Sequence, residues 1–256
     1  WPFTRLGETI DLFERSMAST KRILELLKTT CKITNKDDAI VIKNLDQNIT
    51  FKNVDFSYAE KEVFKNLNLE IKKENFIGIA GQTGSGKSTL IKLLFRFYEV
   101  NAGEIQLDNH NINNIHLESL RSKIGLVNQE IFLFDGTIKE NIAYPNSEID
   151  ETLLMEVAQS SQCLEFIEKL DDGFDTLIGE RGQRLSVGQK QRIGIARALY
   201  KKPEILIFDE ATSAVDNETE YLIQKALKEI SKNCTTLVIA HRLSTIKNAN
   251  KIIVLG

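Results

Sequence analysis

Gly81-Gln82-Thr83-Gly84-Ser85-Gly86-Lys87-Ser88-Thr89 has the spacing G-x-x-x-x-G-K-[ST], the pattern of a loop whose backbone N–H groups cradle phosphates. The neighbours on both sides fit that reading. Phe76-Ile77-Gly78-Ile79-Ala80 reads as a short buried strand, and Leu90-Ile91-Lys92-Leu93-Leu94-Phe95 as an apolar helix. Strand, glycine loop and helix must come in that order, because the helix N-terminus then aims its free N–H groups at the anion. Glycines allow positive φ and a close wrap around the phosphates. Lys87 is expected to supply countercharge, the Ser88 hydroxyl a magnesium ligand, and Gly81, Thr83, Gly84, Ser85, Gly86 and Thr89 the rest of the cradle. A Gly/Ser-rich surface turn is the competing reading. The flanking strand and helix weigh against it, so the stretch predicts a nucleotide site.

Composition bounds the rest. The 256 residues are 42% hydrophobic and 27% charged, enough for one large domain or two small ones. A net charge of −3 and a pI near 5.8 give no general nucleic-acid surface, and none is expected as a partner. Cys31, Cys163 and Cys234 are odd in number, far apart and without metal spacing, which predicts reduced, buried thiols in an intracellular domain. No apolar run approaches the ~20 residues of a membrane span. The chain begins at Trp1 without a methionine and stops just after Leu255, so it is expected to be part of a longer protein whose C-terminus is cut short.

Residues 1–30 predict one amphipathic helix, with Leu6, Ile10, Phe13, Met17, Leu24 and Leu27 at helical spacings. It is either a core-facing helix or the cytoplasmic end of a membrane helix with Trp1 at the interface, and periodicity does not separate the two. Residues 31–48 are polar and weakly patterned, as in a linker. Asn35-Lys36-Asp37-Asp38 fits the guanine motif N-K-x-D but precedes the phosphate loop, where that motif has no role. From Ile49 to Ile71 apolar residues alternate, predicting antiparallel strands with one buried face. Further short strands are expected at 103–107 and 124–127 around a helix at 117–123. Helix-rich sequence runs from 147 to 170, and helices are expected at 188–201 and 217–231. Ile205–Phe208, Leu237–Ala240 and Ile252–Leu255 are continuous apolar runs, as parallel strands covered on both faces should be. An α/β domain with an inserted helical subdomain over about 130–200 is thus expected across 49–256.

Ile205-Leu206-Ile207-Phe208-Asp209-Glu210 buries a strand and delivers two carboxylates at its C-terminal end, where ligand sites of α/β sheets lie. Asp209 is expected to bind magnesium, and Glu210 to hold and deprotonate an attacking water. An Asp-Glu pair at a strand end is often merely solvated; a phosphate loop upstream argues for chemistry.

Here a resemblance becomes specific. Leu185-Ser186-Val187-Gly188-Gln189, followed by Lys190-Gln191-Arg192, resembles the LSGGQ signature of ABC-type ATPases and stands just before the Asp209-Glu210 strand. Asp216 resembles the D-loop aspartate, His241 the switch histidine, Gln129 the Q-loop glutamine, and Tyr58 the aromatic that stacks on adenine. The six motifs follow in the family's order over residues 49–255. The resemblance implies a P-loop NTPase core, α/β with a mostly parallel sheet, an N-terminal antiparallel β-subdomain and an inserted α-helical subdomain. It also implies Mg²⁺ with ATP as substrate, Gln129 as a further magnesium ligand, and Glu210, His241, Gln129 and Lys87 as catalytic residues. ATP would lie between two head-to-tail copies, with Ser186, Val187, Gly188 and Gln189 of one facing the ATP of the other. Stacking is worth ~1–3 kcal/mol per base in nucleic-acid sites and tolerates any base, so adenine selectivity should be modest. Ser186 is a natural N-cap, so its helix also offers free amides to an anion.

Gly179-Glu180-Arg181-Gly182 resembles the X-loop of exporters, in which Glu180 and Arg181 would couple to membrane helices; residues 132–142 and 7–27 resemble exporter sequence as well. These imply the ATPase of a lipid or multidrug half-transporter, at the cytoplasmic face of the cell membrane, with its transmembrane domain in the same polypeptide. The alternatives are a soluble ABC-type ATPase not linked to transport and a non-hydrolysing domain that dimerises on ATP. The chain departs from the family at Val187, where glycine is usual. Valine keeps its N–H but resists positive φ, so an ordinary backbone is expected there. With the donor retained, Val187→Gly should change the ATPase rate by less than about tenfold; a rescue of about a hundredfold would mark a degenerate site.

Overall fold

The computed structural model describes residues 2–209, 216–240 and 243–256, in two compact units, Trp1–Thr34 and Asn35–Gly256. The first unit is helix α1, Pro2–Lys28, whose Leu6, Ile10, Phe13, Met17, Leu24 and Leu27 are all about half exposed or more. No described helix is long and apolar enough to cross a membrane.

The second unit opens with a hairpin, β1 (Asn48–Tyr58) and β2 (Lys61–Lys72), turned at Ala59 with φ 49°. Then come β3 (Phe76–Gly81), α2 (Lys87–Leu94), β4 (Ala102–Leu107), β5 (His110–Asn111), α3 (Leu117–Ser122) and β6 (Ile124–Val127). Helices α4 (Ile138–Ala143), α5 (Glu151–Ser160), α6 (Leu164–Ile167) and α7 (Val187–Tyr200) follow. The chain ends through β7 (Ile205–Asp209), α8 (Asn217–Ile230), β8 (Thr235–Ile239), α9 (Leu243–Ile246) and β9 (Lys251–Leu255). Two sheets result: an antiparallel one in the order β2-β1-β4-β5, and a parallel one in the order β6-β7-β8-β3-β9.

The continuous apolar runs make sense through strand alternation. Ile77, Ile79, Ile205, Ile207, Leu237 and Ile239 face one apolar cluster, shared with Leu90, Ile91, Leu93 and Leu94 of α2 and with the antiparallel sheet. Phe76, Leu206, Phe208 and Val238 face a second cluster, with Ile195 and Ala198 of α7 and Ile223, Ala226, Leu227 and Ile230 of α8. Each central strand therefore carries a continuous apolar run because both its faces are covered. Strand β9 departs from that expectation. It pairs with β3 at the sheet edge, and Ile252 and Val254 are 45% and 74% exposed. An apolar run reports β-propensity, not what covers the strand.

Two other expectations change. Residues 35–48, read as linker, are fastened to the second unit. Leu45 is buried in the first cluster, Asn35 Oδ1 accepts from Leu117 N at 2.7 Å, and Ile42 N donates to Ser119 Oγ at 3.0 Å. The short run Ile40-Val41-Ile42 and the lone Leu45 among polar residues leave no clear period to read. Among the cysteines, Cys163 and Cys234 are buried, and burial pushes both thiols up to about 12, so they are inert near neutral pH; Cys31 is exposed.

The helical insert packs on its own apolar cluster, including Leu133, Ile138, Ile142, Leu154, Phe166, Ile193 and Tyr200. Arg197 of α7 binds it together. Its guanidinium donates to Phe132 O at 2.7 Å, Asn141 O at 2.7 Å and Asn141 Oδ1 at 2.8 Å, and lies 5.7 Å from the Phe134 ring centroid. Burial pulls it down to about 10, still charged at neutral pH. Arg197→Met would strand these acceptors, and each stranded buried group costs about 1–3 kcal/mol. A melting point lower by roughly 6–12 °C is expected, from about 3 kcal/mol in total. An unchanged melting curve would contradict this role.

Candidate functional site

The phosphate loop joins β3 to α2. Gly84 and Gly86 take φ 89° and 96°, values that favour glycine. At Gly86 a Cβ would lie 2.7 Å from the Phe64 ring and 2.9 Å from Val63 Cγ1, so the loop backbone rests directly on β2. Gly86 is the N-cap of α2 and has no side chain to cap the helix, and no acidic residue occupies the first turn. The N-terminal amides and positive dipole end of α2 are thus left to an anion. Lys87 is 6% exposed, and its ammonium spans the loop, donating to Gly81 O at 2.9 Å and Gln82 O at 2.8 Å. Among the described residues the buried Ser85 hydroxyl has no partner.

A cleft of about 350 Å³ opens beside this loop, lined by Tyr58, Lys61, Val63, Thr83, Gly84, Gly86, Lys87, Ser88 and Thr89. Tyr58 joins it because β2 packs on the loop and Tyr58 closes the same hairpin. Its ring meets Phe56 at 4.9 Å and Tyr98 at 5.0 Å, both edge to face, with Lys92 Nζ 5.8 Å from its centroid. Held on three sides, the ring is pre-oriented. Lys61 and Val63 line the cleft although no motif marked them; only the β-spacing downstream of Tyr58 could have done so.

The remaining positions come together through the parallel sheet. Asp209 pairs with Ile239, and Ile239 with Ile79, so the half-buried Asp209 lies at the same C-terminal end of the strands as the phosphate loop, two strands or roughly 10 Å away. Gln129 leaves that end of the sheet after β6 and is exposed. Glu210 and His241 lie outside the described residues. Among the described residues no cluster of three or more His, Cys, Asp or Glu could hold a metal. The exposed Ser88 hydroxyl, the Asp209 carboxylate and the Gln129 amide oxygen are hard oxygen donors. They suit Mg²⁺, which binds through one or two protein oxygens with phosphates and waters completing its shell.

The signature residues lie elsewhere: none of Ser186, Val187, Gly188 or Gln189 lines the cleft. Ser186 caps α7 in a reciprocal capping box, Ser186 Oγ accepting from Gln189 N at 3.2 Å and Gln189 Oε1 accepting from Ser186 N at 2.9 Å. Val187 is the first helical residue, is 56% exposed and has no positive φ, so valine costs no backbone strain there. A Cβ on Gly188 would lie 2.5 Å from Thr219. Asp216 caps α8 through that same threonine, accepting from Thr219 N and Thr219 Oγ1, both at 2.9 Å; these bonds hold its carboxyl below the usual range. Arg181 has φ 51° between Gly179 and Gly182, and its carbonyl accepts from Lys190 Nζ at 3.0 Å. A Cβ on Gly182 would meet Leu133 at 2.9 Å. Glu180 and Arg181 are thereby tied to the first turns of α7 and to the segment after Gln129.

Comparison with known proteins agrees with this geometry. A family model for the ABC transporter matches residues 64–213. The uncharacterised ABC transporter ATP-binding protein YwjA of Bacillus subtilis (strain 168) is 45% identical over 254 residues, 99% of this chain and 44% of that protein. The ATP-dependent lipid A-core flippase of Syntrophus aciditrophicus (strain SB) is 42% identical over 254 residues, 99% of this chain and 42% of that protein. The structure of a bacterial Atm1-family ABC exporter with ATP bound superposes with a TM-score of 0.85 at 37% identity, over 98% of this chain and 44% of that one. This chain therefore spans less than half the length of these relatives. With the family model covering more than half of its 256 residues, the chain belongs to the ABC transporter family, as an ATP-binding domain.

Proposed function

We propose that this chain is the ATP-hydrolysing motor of an ABC exporter, working as a pair of copies around two ATP and driving a transmembrane domain of the same polypeptide. One observation supports this most. The chain has two helix N-termini fit for an anion, at Gly86 and at Ser186, and only the first belongs to its own cleft. A second copy in head-to-tail arrangement would bring the capped N-terminus of α7 to the γ-phosphate. The amides of Val187 and Gly188, which the Ser186 cap leaves unbonded, would then meet an oxyanion that the first copy only half surrounds.

In this reading Tyr58 stacks on the base, the loop amides and Lys87 hold the phosphates, and Glu210 takes the proton of the attacking water. His241 contacts the γ-phosphate, and the Asp216 cap keeps α8 against Gly188 at the copy-to-copy boundary. Mg²⁺, held by Ser88, Asp209 and Gln129 with the phosphates, would neutralise charge that develops on the leaving oxygens. Closure would pass outward through Gln129 and the Glu180–Arg181 turn to membrane helices. The exposed aromatics Phe132, Phe134 and Tyr144 next to that turn offer the membrane half a docking surface. The protein would work at the cytoplasmic face of the cell membrane.

Glu210→Gln is expected to bind Mg-ATP as the parent does, to lower steady-state hydrolysis by about a hundredfold or more, and to run as a dimer in ATP on size exclusion. Hydrolysis at the parent rate would remove Glu210 from the role of base.

A further inference from the structure

Among the described residues two cations line the cleft: Lys87 of the phosphate loop, and Lys61, which belongs to none of the motifs in the sequence. It is the register partner of Tyr58 across the β1–β2 hairpin, so the two side chains stand on one face of the ribbon with Cβ atoms about 5 Å apart. Alternation places Val63, two residues on, on that same face, and Val63 also lines the cleft and touches the backbone at Gly86. Glu62, between them, pairs with Ser57 and points off the opposite face. Among the described residues the Lys61 ammonium has no acidic partner and no hydrogen bond. Lys61 thus lines the cleft beside Tyr58, with its charge unpaired among the described residues.

We propose that Lys61 is a further nucleotide-binding residue, donating from its ammonium to the ribose hydroxyls and base-edge acceptors of the nucleotide stacked on Tyr58. The inference rests on the reading of the cleft as the ATP site and adds a specificity element to it. Aromatic stacking holds any base, whereas a donor beside the ring distinguishes a nucleoside triphosphate from a bare polyphosphate. Lysine suits this position, since three donors on a flexible stem adapt to acceptors of varied geometry. The neighbouring Lys92, against another side of the Tyr58 ring, lies outside the cleft lining and acts on the ring alone.

The test is competition against a fluorescent N-methylanthraniloyl-ATP, using the chain itself, Lys61→Ala, Lys61→Arg and Lys87→Ala. ATP should compete about three- to tenfold more weakly on Lys61→Ala than on the parent, with inorganic tripolyphosphate unchanged and Lys61→Arg close to the parent. An ATP affinity on Lys61→Ala equal to the parent's overturns the proposal. An equal loss for ATP and tripolyphosphate also overturns it, by making Lys61 a phosphate contact. Lys87→Ala separates the two levels: if it binds ATP as well as the parent does, the cleft reading itself falls, whatever Lys61 does.

Discussion

Everything in the Asn35–Gly256 unit depends on one close approach, the backbone of Gly86 against Val63 and Phe64 of β2. A side chain at that position would part the loop from the hairpin. Without one, the hairpin that carries Tyr58 and Lys61 is seated on the loop that carries Lys87. The antiparallel sheet then covers α2, α2 covers one face of the parallel sheet, and the two sheets share a single apolar cluster. The base end and the phosphate end of the cleft are fixed relative to each other by packing alone. That is pre-organisation in a literal sense, because ordering the site costs little once the core has formed.

The start of α7 is held by a different device. Gly188 on α7 and Asp216 before α8 meet at Thr219, while Lys190 and Leu133 tie the first turns of α7 to the turn at Arg181 and to the segment leaving Gln129. Arg197, three turns along α7, holds that same segment through Phe132 and Asn141. Helix α7, the turn at Arg181 and the segment leaving Gln129 thus form one packed body. A displacement of α7 by a nucleotide on a facing copy would move the Glu180–Arg181 turn and the aromatic surface beside it. Such coupling needs no more than a rigid helix and side chains close-packed around it.

Much of this was legible in the residues. The glycine spacing at 81–89 gave the loop, and alternation from Ile49 to Ile71 gave the hairpin. The apolar runs at 205–208 and 237–240 gave strands covered on both faces, as alternate residues facing two clusters confirm. What escaped depended on contacts that no period records. Leu45 and Ile42 anchor a stretch too polar to show a period. Ile252 and Val254 are strand-formers left exposed at an edge, and Cys31 is exposed where a buried thiol was expected. Lys61 and Val63 enter the cleft only because a hairpin register brings them beside Tyr58. Sequence pattern reports which way a residue faces; it does not report what stands opposite.

Glycine packing at position 86, more than the lysine charge alone, builds the cleft. Isothermal titration of Mg-ATP into the chain and into Gly86→Ala, with thermal melts of both, separates the two. Gly86→Ala should stay folded and lose ATP affinity by about a hundredfold or more, as the hairpin is pushed off the loop. An affinity within about twofold of the parent's would contradict it.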